Sequence, residues 1–234
     1  MAARGSAPST KPEALYVARA MQVLELLAFR PMSAPQVAAT LQIHPRTARR
    51  VLVRLHGESY LARTDDTRRL YSPTLRLIAL AGQAAHRLPL VREADGAVGW
   101  LSGETGMGAF LASPSYGEVV VLASAGPDAP RPLSLLPVNT SAAGRVLLAH
   151  RQRWRDSQRF VRNGNLDEDA AAGIRRRGHA VSDDRCSVAV VVPTADPPIA
   201  ALALVGEAGR LGAEQERAVA LLHEAADILN GNIA

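Results

Sequence analysis

The chain has 234 residues, 47% of them hydrophobic, which is long enough for two ordinary domains and too apolar for wholesale disorder. Its net charge of +5 is unevenly spread: residues 1–88 carry 13 Arg+Lys against 5 Asp+Glu, and residues 89–234 carry 14 against 17. A single cysteine, Cys186, excludes an intramolecular disulfide framework and any multi-cysteine zinc site.

The asymmetry points to a basic N-terminal module for a polyanion and a near-neutral C-terminal module with another task. Only one of the basic residues is lysine, Lys11, and the arginine excess runs along the whole chain. It therefore reads mainly as a compositional bias. No window approaches a membrane span, and "MAARGSAPSTKPE" lacks a hydrophobic signal core. The expected location is cytoplasmic, with no membrane partner.

In chain order, residues 1–13 read as a disordered arm. Leu15, Ala18, Met21, Val23, Leu24, Leu27 and Ala28 recur at helical spacing, and Pro31 closes that helix. Ser33 caps a short second helix, "SAPQVAATL", with Pro35 in its first turn. Pro45 begins a third helix that runs to about His56 and stops at Gly57. "YLARTDDTRRLYSP" at 60–73 predicts a hairpin turning at "TDDT". Residues 74–88 form an apolar-striped helix, placed to link the modules and to meet a second copy of the chain.

Beyond residue 89 the pattern becomes mixed α and β. A hairpin is predicted over 106–126, turning at Tyr116–Gly117, and then a helix over 139–154 capped near Asn139 or Thr140. A second helix follows at 167–178, stopped by Gly178. Two strands, "SVAVVVPT" and "IAALALVGE", are joined by an "ADPP" turn, and an amphipathic helix runs over 212–232. The expected fold class is α+β with two domains.

Three short helices followed by a basic hairpin are the elements of a winged helix-turn-helix, which lays its third helix in the major groove of double-stranded DNA. Arg46, Arg50 and Arg54 fall at i, i+4 spacing on one face, with Arg49 alongside. Early positions of such a helix meet base edges, so Arg46, Thr47 and Arg50 are candidate readers. Arg49 and Arg54, with Arg68 and Arg69 on the far arm of the hairpin, are candidate phosphate contacts. Any one of these arginines alone reads equally well as a solvated side chain. The order of elements is what favours DNA.

The combination resembles the IclR family of bacterial transcriptional regulators over nearly the whole chain. The resemblance rests on "ARAMQVLELLA" at 18–28, "SAPQVAATLQIHPRTARRVLVRL" at 33–55 and "YLART…RRLYSPTLRLIALA" at 60–81. It sharpens at "LPVNTSAAGRVLLA" (136–149), where Asn139 and Arg145 replace the family's usual histidine and lysine, and at "GHAVSDD" leading to "CSVAVVVPTAD". Only Arg185 separates Asp184 from Cys186, where many members carry a longer acidic loop, and the segment at 151–166 is compressed.

The resemblance implies a DNA-binding domain over 14–73, a linker helix over 74–88 and a GAF-like effector-binding domain over 89–234. It places an effector pocket between the 139–145 helix start and the 182–190 strand, which brings in Asn139 and Cys186. Independently, backbone N–H groups at a helix start near Thr140, Ser141 and Ala142 can hold a carboxylate. The expected effector is a small organic acid or aromatic carboxylate. The alternative for Thr140 and Ser141 is an ordinary cap, and for Cys186 a structural thiol.

Nothing points to catalysis. His179 and Cys186 have no orienting partner at motif spacing, the six histidines show no metal-ligand spacing, and "GETGMG" does not follow the nucleotide-loop glycine order. We expect a non-enzymatic regulator without cofactor or metal, acting as a homodimer or a dimer of dimers on a two-fold operator. The alternatives are a constitutive DNA-binding regulator with a degenerate effector domain, and a sensory or protein-interaction adaptor that does not bind DNA.

Overall fold

A computed structural model describes residues 12–65, 67–85, 87–115, 118–150, 166–193 and 200–233. The expected N-terminal arm, the Tyr116–Gly117 turn, the 151–165 segment and the "ADPP" turn fall almost wholly outside these residues. The chain divides into two compact units, Met1–Ala84 and Ala85–Ala234.

The first unit has helices α1 (Pro12–Phe29), α2 (Ala34–Leu41) and α3 (Pro45–Gly57), then strands β1 (Leu61–Asp65) and β2 (Leu70–Pro73), then α4 (Leu75–Ala85). At the start of α2, the Gln36 side-chain oxygen accepts from the Ser33 N–H at 2.8 Å and its Oγ at 3.0 Å. Such a reciprocal cap is worth about 1 kcal/mol. Gln42 takes a left-handed φ of 53° after α2, reversing the chain in three residues. His44 then caps α3, its Nδ1 accepting from the Arg46 N–H at 3.2 Å.

The amphipathic stripe of α3 buries Ala48, Val51, Leu52 and Leu55. They join Val23, Leu27 and Val37 in a small core. The hairpin is tied to this core by paired backbone bonds between Met32 and Tyr71, at 3.1 and 3.0 Å. The end of α3 is clasped to the start of α4. Thr74 Oγ1 donates to the Ser59 carbonyl at 2.7 Å, and Arg76 donates to the Glu58 carbonyl at 2.6 Å while lying 4.6 Å from the centre of the Tyr60 ring.

The second unit opens with α5 (Pro89–Thr105), followed by β3 (Gly108–Ser115), β4 (Glu118–Ala125), β5 (Leu135–Pro137) and α6 (Ala142–Ala149). Then come α7 (Glu168–Arg177), β6 (Ala180–Val181), β7 (Ser187–Val192), β8 (Ala200–Val205), α8 (Ala208–Ala213) and α9 (Gln215–Ile233). The strands form one antiparallel sheet in the order β5-β4-β3-β8-β7-β6.

Alternation along β8 divides the core between the two faces. Leu202 and Leu204 pack with α5 and α9, whereas Ala201 and Ala203 point to α6 and α7. Small residues on the second face let α6 approach closely. Seven of its eight residues are buried, and Gly144 sits so near Val138 that a Cβ there would lie 2.2 Å from the Val138 carbonyl oxygen.

The structure corrects three element boundaries. The helix expected over 74–88 ends at Ala85, because Pro89 opens a separate helix whose first position needs no N–H. The helix expected over 139–154 is shorter, Ala142–Ala149, and is capped by Ser141, whose Oγ accepts from the Gly144 N–H at 3.2 Å. The last helix begins at Gln215, not at 212, and follows the separate short α8.

Candidate functional site

On α3, successive residues turn by about 100°. Opposite the buried stripe stand Arg46, Arg50 and Val53, spread over about 60° of the helix. Arg49 and Arg54 flank them, and all four arginines are exposed. Thr47 is half-buried on the flank nearer the core.

The two sides of this face differ. On one side a cleft runs between the starts of α2 and α3 and the β1–β2 hairpin, lined by Arg46, Arg49, Arg63, Arg68 and Arg69 together with Val53. Among the described residues that line it, none is acidic. The fold thus gathers five guanidinium groups from α3 and the hairpin around one cleft. On the other side Arg50 lies 5.4 Å from the centre of the Tyr16 ring on α1.

The hairpin is shaped for this cleft. Arg69 holds a left-handed φ of 50°, a conformation that glycine or asparagine adopts more readily. Arg63, paired with Tyr71 across the strands, sets its guanidinium 5.7 Å from the Tyr71 ring centre and donates to the Tyr71 hydroxyl at 3.5 Å. Tyr71 is itself 5% exposed, so the strand partner is fixed by the core.

In the second unit the start of α6 meets the β6–β7 turn. The Asp183 N–H donates to the Thr140 carbonyl at 3.1 Å, and the Arg145 guanidinium pairs with the Asp183 carboxylate. The Ser141 hydroxyl is engaged twice, donating to the Pro137 carbonyl at 2.6 Å while accepting from Gly144. Asn139 and Thr140 are exposed, and Ala142 is buried.

Cys186 is half-buried at the far side of the same turn, its N–H donating to Asp184 Oδ1 at 2.9 Å. The Ser182 hydroxyl donates to that same oxygen at 2.5 Å, and these bonds hold the Asp184 carboxyl below the usual carboxylate range. Arg145 Nε is buried and has no hydrogen-bond partner. Among the described residues, no group of three or more His, Cys, Asp or Glu is placed to hold a metal, and no helix is long and apolar enough to cross a membrane.

No protein-family model and no curated protein matches the sequence. Solved structures do. An IclR transcriptional regulator from Alicyclobacillus acidocaldarius is 27% identical, with 94% of this chain and 99% of that one covered at a TM-score of 0.65. An IclR-family transcriptional regulator from Brucella abortus is 18% identical, with 100% and 97% covered at 0.72. The fold is that of the IclR family of transcriptional regulators. A further IclR homologue, from Microbacterium hydrocarbonoxydans, is 24% identical over 93% of this chain and 98% of its own, with a TM-score of 0.56; its structure is a complex with 4-hydroxybenzoate.

Within this IclR-like chain, the sequence-predicted arginines separate into cleft-lining Arg46, Arg49, Arg68 and Arg69, the α1-facing Arg50, and Arg54, which is exposed outside the cleft lining. Among the cleft residues that sequence reasoning missed are Arg63 and Val53. Arg63 was detectable as the third arginine of the hairpin, opposite Tyr71. Val53 carried no polar mark, and only the phase of α3 shows that it faces outward.

Proposed function

We propose that this chain is a sequence-specific DNA-binding transcriptional regulator. Its N-terminal unit would be a winged helix-turn-helix (14–73), residues 74–88 a linker, and residues 89–234 a GAF-like effector-binding domain. The observation that carries the reading is the gathering of five arginines around one cleft between α3 and the hairpin. In this reading a sugar–phosphate strand occupies the cleft, with Arg49, Arg63, Arg68 and Arg69 on phosphates, while Arg46, Thr47 and Arg50 reach base edges and Arg54 the flanking backbone. Two copies acting together match a two-fold operator. Leu75 (79% exposed) and Ile78 (64%) on α4 suit the contact between them.

An effector, a small carboxylate by analogy with the 4-hydroxybenzoate held by the Microbacterium protein, would act at the α6 start near Asn139, Thr140, Ser141, Ala142 and Cys186. One observation favours the second reading, a regulator that binds DNA without an effector. Asp183 already supplies a carboxylate to Arg145, and the Ser141 hydroxyl is committed to its cap.

The test is fluorescence-anisotropy binding of the full chain to the DNA flanking its own gene, against unrelated duplexes at several salt concentrations. Specific binding that the Arg49→Ala/Arg50→Ala double variant loses supports the regulator. A folded wild type for which selection from random duplexes enriches no sequence would instead support the adaptor alternative.

A further inference from the structure

We propose that Val53 is a specificity-determining residue of the DNA-binding face, setting its isopropyl group against the C5-methyl of a thymine in the major groove. The inference rests on the DNA-binding reading and goes beyond it, because it assigns one base contact to one side chain.

Val53 lies in the third turn of α3, seven residues from Arg46 and four from Arg49. That spacing puts the three side chains in one row along the helix. It lies opposite the buried stripe and is 48% exposed. The rest of this outward face is cationic, and Val53 lines the arginine cleft with Arg46 and Arg49.

Arginines bonded to phosphates and to guanine edges bring the helix into the groove, but they do not distinguish a thymine from a cytosine by its methyl group. In the major groove that methyl is the only apolar feature a base pair offers. A branched aliphatic side chain flanked by arginines is its chemical complement. Its exposed half is buried only once the helix is seated, and that part contributes to the complex and not to the fold. A residue that packed against the protein would instead lie on the buried side of α3 with Val51 and Leu52.

The experiment enriches a preferred duplex from random sequence with the full chain, then replaces each thymine singly with deoxyuridine, which removes the methyl and leaves the pairing intact. Binding is measured by anisotropy for wild type and Val53→Ala. Because Val53 is outside the core and alanine favours helix, the variant folds. At one thymine in each half-site, wild type should lose about fourfold in affinity per methyl, the effect of withdrawing one methyl-sized apolar contact. Val53→Ala should bind the thymine and deoxyuridine duplexes alike at that position. Equal losses in both proteins at every thymine would overturn the assignment while leaving DNA binding intact. If no duplex is enriched at all, the DNA-binding reading falls, and this inference falls with it.

Discussion

Replacing Arg63 with glutamine removes one of the five guanidinium groups around the α3–hairpin cleft and leaves the other four in place. If Arg49, Arg63, Arg68 and Arg69 of the cleft and the flanking Arg54 each meet one phosphate, the binding constant of a protomer should fall with salt at a logarithmic slope of about −4.5, since each neutralised phosphate contributes about −0.9. Raising salt fourfold would then weaken wild type about 500-fold and Arg63→Gln about 150-fold. On a two-fold site the difference in slope doubles to about 1.8. Losing an exposed cation over the Tyr71 ring costs the fold only about 0.5–1 kcal/mol, so a thermal melt should move by a few degrees at most. The assay is anisotropy on the preferred duplex from 50 to 200 mM salt, with an unrelated duplex alongside. An unchanged slope in Arg63→Gln would refute the claim that the cleft holds the DNA backbone, as would a loss confined to the preferred sequence.

Arg50→Ala should reduce discrimination between preferred and unrelated duplexes by about 2 kcal/mol, whereas Arg68→Ala or Arg69→Ala should weaken all duplexes alike; competition binding separates the two. Gly144→Ala drives a Cβ to 2.2 Å from the Val138 carbonyl, so about 3 kcal/mol should be lost from the second unit's urea unfolding transition with the first unit's unchanged. His179 is held below its ordinary pKa of 6.5, mainly by burial, with Arg177 and His223 adding repulsion and a hydrogen bond to the Arg177 carbonyl opposing them. A base depressed in the folded state contributes stability above its unfolded pKa and loses it as pH falls through the folded one. The melting temperature should therefore drop between pH 7.5 and 5 in wild type, and drop less in His179→Gln.

What could be read in advance was what local chemistry decides alone. Ser33 with Pro35, Pro45 and the Ala48–Leu55 stripe mark α2 and α3 from local sequence, as Gly178 marks the end of α7, where its φ is 75°. The helix α5 went unassigned because Gly96, Gly99 and Gly103 depress helix propensity on its outer side, although Leu90, Ala94, Val98 and Leu101 mark its buried one. The cap of α6 depends on Ser141 rather than Asn139 because Ser141 also bonds back to Pro137, a contact fixed by the close packing at Gly144. The arginines of α3 were legible as a stripe. Their partition into a cleft side and an α1 side was not, since Arg63 and Tyr16 lie far from them in sequence and meet them only in the fold.

The clasp between α3 and α4 has a mechanical consequence. Thr74 and Arg76 hold the carbonyls of Glu58 and Ser59 at the very end of α3, so the two helices share one joint instead of meeting through a free hinge. Helix α4 is about 16 Å long at 1.5 Å per residue, and a tilt of roughly 10° moves its far end about 3 Å. Pulled sideways at Ala85, α4 works as a crank handle. It either turns α3, and the arginines on it, or breaks the short bonds at the joint.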